Sequence, residues 1–179
     1  DLSSDSMPFI DTTYNPSVFW YKEKLWQNNN SPFYLGLNAG AEHESNGKSG
    51  DDSRSINDFY IQPEFNYLFD GGSTLTFMPR VKKYFGVSSD NPDYRDYMGN
   101  VEWKLRWQQD YGLALTGTYQ RGKHNRKTTQ VDASWPLKRT PLNMNGYLYA
   151  QYYKGYGETL LHYNQRSQSQ VRFGIAIIP

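Results

Sequence analysis

Three side chains in this sequence could together cleave an ester. His43 and Ser45 lie two residues apart, and Asn57 follows His43 by fourteen. A serine hydroxyl is a weak nucleophile until a base takes its proton. Imidazole is the usual base, and a third polar group fixes its tautomer and orientation. Residues two apart on a β-strand share a face with Cβ atoms roughly 7 Å apart, so the hydroxyl can reach an imidazole nitrogen. If Asn57 opens the next antiparallel strand on the same face, it is a cross-strand neighbour of His43 and can accept the other ring N–H. The plainer alternative is that His43 and Ser45 are ordinary polar residues at a strand end in a membrane interface.

The elements that must position them can be read from period-two alternation. Over residues 33–45, Phe33, Leu35, Leu37, Ala39 and Ala41 form an apolar face that ends on His43 and Ser45. Residues 57–69 put Asn57, Phe59, Ile61, Phe65, Tyr67 and Phe69 on one face, and Asp58, Gln62, Glu64 and Asn66 on the other. The same reading predicts strands over 73–85, 97–108, 111–120, 128–137, 142–154 and 168–178, with a shorter one over 17–26. That makes about nine strands. At ~9–14 residues each, they suit tilted crossings of a bilayer.

Composition narrows the class. The 179 residues carry 19 basic and 18 acidic side chains, a net charge of +1, which argues against a nucleic-acid partner. With no cysteine, disulfides, zinc–thiolate centres and thiol nucleophiles are excluded. Aromatic residues reach 17% while hydrophobic residues total only 37%. No apolar run approaches the ~20 residues of a spanning helix. Many aromatics, few aliphatics and polar faces that stay polar throughout predict an all-β fold, an antiparallel transmembrane β-barrel with apolar residues outward. A lipocalin-like soluble domain is the rival.

Connections alternate as well. Asp70-Gly71-Gly72, Gln109-Asp110 and residues 138–141 are short turns, whereas 46–56, 86–96, 121–127 and 155–167 are long and polar. Short turns at one end and long loops at the other are the barrel convention, periplasm versus outside. Pro63 and Pro79 each remove a ladder donor and predict bulges. Residues 1–179 read as a single barrel domain. Because bacterial single-chain barrels use even strand numbers, N-terminal strands and a few C-terminal residues are expected to be missing.

The segment His43-Glu44-Ser45-Asn46-Gly47-Lys48-Ser49, followed by Ser53-Arg54-Ser55-Ile56-Asn57, resembles the signature of the outer membrane phospholipase A family. That family has His-x-Ser-Asn-Gly with an asparagine fourteen after the histidine. Asp90-Asn91-Pro92-Asp93, Tyr97-Met98-Gly99, Tyr156-Gly157-Glu158-Thr159-Leu160 and Tyr163-Asn164 match further, so the resemblance runs from about Ser6 to the end. It implies a twelve-stranded barrel in the bacterial outer membrane that hydrolyses phospholipid acyl esters in the outer leaflet. Ser45 would be the nucleophile, His43 the base and Asn57 the orienter, with the Gly47 N–H helping to hold the oxyanion. It also implies Ca2+ as cofactor and a homodimer as the active form. The calcium ligands would be the Ser53 hydroxyl, the Lys48 backbone carbonyl (arginine is usual there) and Ser6 from a partner subunit. A non-catalytic outer-membrane barrel, a small pore or structural protein, is the competing function. The mixed lumen charges Glu64, Arg80, Glu102, Lys104 and Arg106 disfavour an open pore.

Other features have two readings. Asp51 and Asp52 could serve a second calcium or be solvated loop acids. Arg121, Lys123, Arg126 and Lys127 could meet lipopolysaccharide phosphates or simply face water. Tyr149, Tyr152, Tyr153 and Tyr156 fit an aromatic girdle.

Overall fold

The computed structural model describes residues 13–28, 30–86 and 91–177. The strands among them form one antiparallel sheet. Its strands are β1 (Ser17–Gln27), β2 (Phe33–Ser45), β3 (Ser55–Leu68), β4 (Thr74–Phe77), β5 (Arg80–Phe85), β6 (Val101–Gln108), β7 (Ala114–Arg121), β8 (Lys127–Pro136), β9 (Gly146–Tyr156) and β10 (Arg166–Ile177). Strands follow one another in chain order, and β4 and β5 share one place between β3 and β6.

The faces are inverted relative to a soluble sheet. On β3, Phe59 and Ile61 are 54% and 59% exposed, while Asp58 and Gln62 are 5% and 7% exposed. Phe173 on β10 is 82% exposed. Apolar side chains stand outward and polar ones inward, which is stable only if hydrocarbon replaces water outside. Several inward charges pair with one another. Arg80 meets Glu42 at 2.5 Å and stacks on Tyr60, Lys82 bridges Glu42 and Asp58, and Lys104 pairs with Glu102 at 2.5 Å. Arg80, Glu102 and Lys104, whose mixed charges disfavour an open pore, are thus cross-braces.

Several predicted boundaries move, and the strand expected from 111 begins at Ala114, widening the Gln109-Asp110 turn to five residues. The strand over 73–85 breaks at Met78-Pro79 into β4 and β5. Pro63 keeps register with Leu37 on β2, and the other side of β3 is unpaired only between Ile61 and Phe65. The two prolines therefore face one interruption, where a missing donor costs nothing. Residues 97–100 are not strand. A helix, α1 (Tyr94–Met98), ends at Gly99, whose φ of 72° stops it. The strand expected from 142 starts at Gly146, because a turn through Leu137–Arg139 buries Leu137 and lengthens that connection. Finally, β9 and β10 extend to Tyr156 and back to Arg166, shortening the 155–167 loop.

The long-loop end is capped. Tyr94 and Tyr97 of α1 pack on Tyr163 from the β9–β10 loop, and Tyr84 packs on Tyr94. The Tyr163 hydroxyl donates to Asp93. Burial raises the hydroxyl pKa of both Tyr94 and Tyr163 well above the ordinary value, so both stay neutral donors. Aromatic packing ties loops from distant strands over the polar interior.

Candidate active site

At the capped end, β2 and β3 are in continuous register from Phe33↔Tyr67 to Ser45↔Ser55, and His43 sits directly opposite Asn57. The His43 Nδ1 lies 2.8 Å from Asn57 Oδ1. Asn57 Nδ2 donates to the Gly86 carbonyl at 3.2 Å. That second bond decides the amide's orientation, because only an N–H can face a carbonyl. Oδ1 must then face His43, and an amide oxygen only accepts. Nδ1 therefore carries the proton, and Nε2 keeps the lone pair that a general base needs.

Ser45 shares the outward face with His43, and its backbone is fixed from both sides. On β3 it pairs with Ser55. On the other edge, Ser45 N–H donates to the Tyr14 carbonyl at 2.9 Å, and Tyr14 N–H donates to the Ser45 carbonyl at 2.7 Å. His43 N–H donates to the Pro16 carbonyl at 3.0 Å. A nucleophile at a strand end would otherwise fray; here three backbone bonds hold the segment.

The loop after Ser45 is organised by Asn46, which is 4% exposed. Its Nδ2 donates to the Asp52 carbonyl at 2.8 Å, and its Oδ1 accepts the Arg54 N–H at 3.0 Å and the Lys48 N–H at 3.4 Å. Arg54 Nη1 donates to the Asp51 and Ser53 carbonyls. Gly47 takes φ +65°, and a Cβ there would stand 3.1 Å from the Tyr14 ring. Lys48, Asp51 and Asp52 are exposed, and Ser53 is half-buried. Ser6 lies outside the described residues.

Sequence reasoning missed Asn46 and the Gly86 carbonyl. Asn46 was visible only as part of a motif, and a backbone acceptor 29 residues from Asn57 leaves no trace in a sequence. It also missed Asn91, wholly buried, whose Oδ1 accepts the Ser55 N–H at 3.3 Å. The girdle reading of four tyrosines is corrected for three, of which Tyr156 packs on Tyr97 in the cap. Tyr153 is buried on the inner face, and Tyr149 donates inward to Asp132. Tyr152 alternates outward and meets Ser169 at 3.2 Å.

The phospholipase A1 family model matches residues 2–178. This chain belongs to the phospholipase A1 family. Phospholipase A1 of Escherichia coli K12 is 31% identical over 183 residues, covering 98% of this chain and 56% of the relative. The chain thus spans a little over half the length of that curated relative. An active-site asparagine-to-alanine mutant of the E. coli outer membrane phospholipase A superposes with a TM-score of 0.78 at 26% identity. That match covers 97% of this chain and 63% of the other. The Salmonella typhi outer membrane phospholipase dimer with bound calcium also gives 0.78, at 27% identity, over 97% and 63%. This family member shares their antiparallel β-barrel fold, and its outward apolar face is an outer-membrane barrel wall.

Proposed function

We propose that this chain hydrolyses the acyl esters of phospholipids at the outer leaflet, with Ser45, His43 and Asn57 as its triad. The observation that carries this is the 2.8 Å His43–Asn57 bond, made two residues from Ser45 on the same, lipid-facing side. Acyl chains can stay in the membrane while the ester meets the hydroxyl at headgroup level.

Ser45 Oγ attacks the ester carbonyl as its proton passes to His43 Nε2. Asn57 holds the imidazolium through Nδ1–H, and the Gly47 N–H donates to the oxyanion. Collapse breaks the C–O bond, and His43 returns the proton to the departing lysophospholipid alkoxide. Water, deprotonated by His43, then releases the fatty acid from Ser45.

The oxygen donors on the 46–54 loop fit calcium. Among the described residues no three acidic, histidine or cysteine side chains cluster, so hydroxyl and carbonyl oxygens of an exposed loop are what a hard cation would find. Ser53 and the Lys48 carbonyl would hold it, and Ser6 of a second copy would complete the shell in a homodimer. When bound, it supplies positive charge for the oxyanion. The calcium-bound dimer of the Salmonella relative supports this reading.

The test is fatty-acid release from mixed micelles, with calcium and then with chelator. Ser45→Ala should lower the rate by about 10³-fold or more with the barrel still folded. A sulfonyl fluoride should label Ser45 alone. Activity surviving in Ser45→Ala removes the assignment.

A further inference from the structure

The basic residues at the long-loop end divide in a way the sequence hides. Lys123 is paired with Asp96 at 2.8 Å, and Arg126 stacks on Tyr97 at 3.8 Å, so both serve the cap. Arg121 and Lys127 face each other across β7 and β8, and both are exposed. One strand on, Lys154 pairs with Thr129, two residues from Lys127. Lys154 then lines an open notch of about 410 Å3 with Arg166 of β10. None of these four cations forms an ion pair with a described carboxylate.

What lies beneath them along the outward face is ordered by polarity. On β8 the outward sequence is Lys127, Thr129, Val131; on β9 it is Lys154, Tyr152, Ala150. On β10, Ser169 meets the Tyr152 hydroxyl, and Val171 and Phe173 follow, both strongly exposed. Cation, hydroxyl and apolar tiers repeat on three adjacent strands. Four strands at ~4.8 Å spacing spread the cations over about 14 Å, wider than one phosphodiester.

We propose that this rim, outside the triad, binds a multiply phosphorylated glycolipid of the outer leaflet. Its phosphates would lie on Arg121, Lys127, Lys154 and Arg166, its sugar hydroxyls on Thr129, Tyr152 and Ser169, and its acyl chains on the wall below. Charge-assisted bonds from arginine and lysine to phosphate are strong at a low-dielectric interface. The inference needs the membrane orientation but not the hydrolytic reading, so loss of one leaves the other standing.

The experiment titrates the detergent-solubilised chain with lipopolysaccharide and with the same material stripped of phosphate. Each cation near an anionic lipid surface contributes a factor of about 5, so Lys127→Gln/Lys154→Gln should bind lipopolysaccharide about 30-fold more weakly. Removing the phosphates deprives all four cations at once and should weaken the parent further, by about 600-fold on the same rule. Lys123→Gln, altering a cation already paired, should stay within about twofold of the parent by the same rule, and hydrolysis should be unchanged in both variants. Folding is checked by circular dichroism and a thermal transition; should the double variant fail to fold, Lys154→Glu alone must show the weakening. Equal affinity in parent and variants overturns the proposal. So does indifference to the phosphates, equal binding of phosphatidylglycerol, or displacement by inorganic phosphate alone.

Discussion

At the residue scale, the choice of asparagine at 57 has a physical reason. An amide offers an acceptor to His43 and a donor to Gly86 at once; a carboxylate offers only acceptors. Asn57→Asp would keep the bond to His43 and set an anionic oxygen against the Gly86 carbonyl. Its activity should therefore fall between those of the parent and Asn57→Ala. His43→Ala removes the base and should cost about 10³-fold or more. Asn57→Ala leaves base and nucleophile able to meet, and should cost about 10- to 100-fold. Initial rates of all three variants decide this; equal losses for His43→Ala and Asn57→Ala, or full activity in Asn57→Asp, would contradict it.

At the element scale, the 46–54 loop depends on one buried side chain. Asn46→Ala strands the Asp52 carbonyl and the Arg54 N–H, each costing about 1–3 kcal/mol if left unpaired. The loop should open, with faster protease cleavage between 46 and 54 and a higher calcium requirement, while the β2–β3 ladder persists. Unchanged cleavage would show that Arg54 suffices to hold the loop. Helix α1 has a different tether. The hydrogen bond from Lys123 holds the Asp96 carboxyl below its usual range. A lowered folded pKa means the contribution is present above the unfolded value and is lost as pH falls through the folded one. Hydrogen exchange at residues 94–98 should accelerate only at pH below the ordinary aspartate range, and Asp96→Asn should abolish that acid step.

For the whole molecule, calcium and self-association should be linked. Calcium takes six to eight oxygens, and two protein oxygens from one copy cannot fill that shell. A site completed by a second copy must bind calcium more tightly in the dimer, and calcium must tighten the dimer by the same factor. Ser53→Ala should raise the calcium requirement and weaken calcium-promoted association. Analytical ultracentrifugation in detergent across a calcium titration checks this, using Ser45-sulfonylated parent and Ser53→Ala. Self-association indifferent to calcium in both would end the shared-site reading and leave the triad untouched.

The sequence by itself determined the β class, the inverted faces and the facing of His43 by Asn57, because each follows from period-two alternation and the antiparallel pairing of consecutive strands. It also exposed the mixed lumen charges, although their pairing across β2, β3 and β5 needed the register. The tertiary structure alone decided the rest. Gly86, Asn91 and the Tyr14 backbone come from segments far along the chain, and a backbone carbonyl or N–H has no residue type to betray it. Which cations of the basic loop stay unpaired depended on α1, a helix whose residues read as the end of a loop and the start of a strand. Local pattern dictates the face on which a side chain stands; what meets it there depends on how distant loops fold over the end of the sheet.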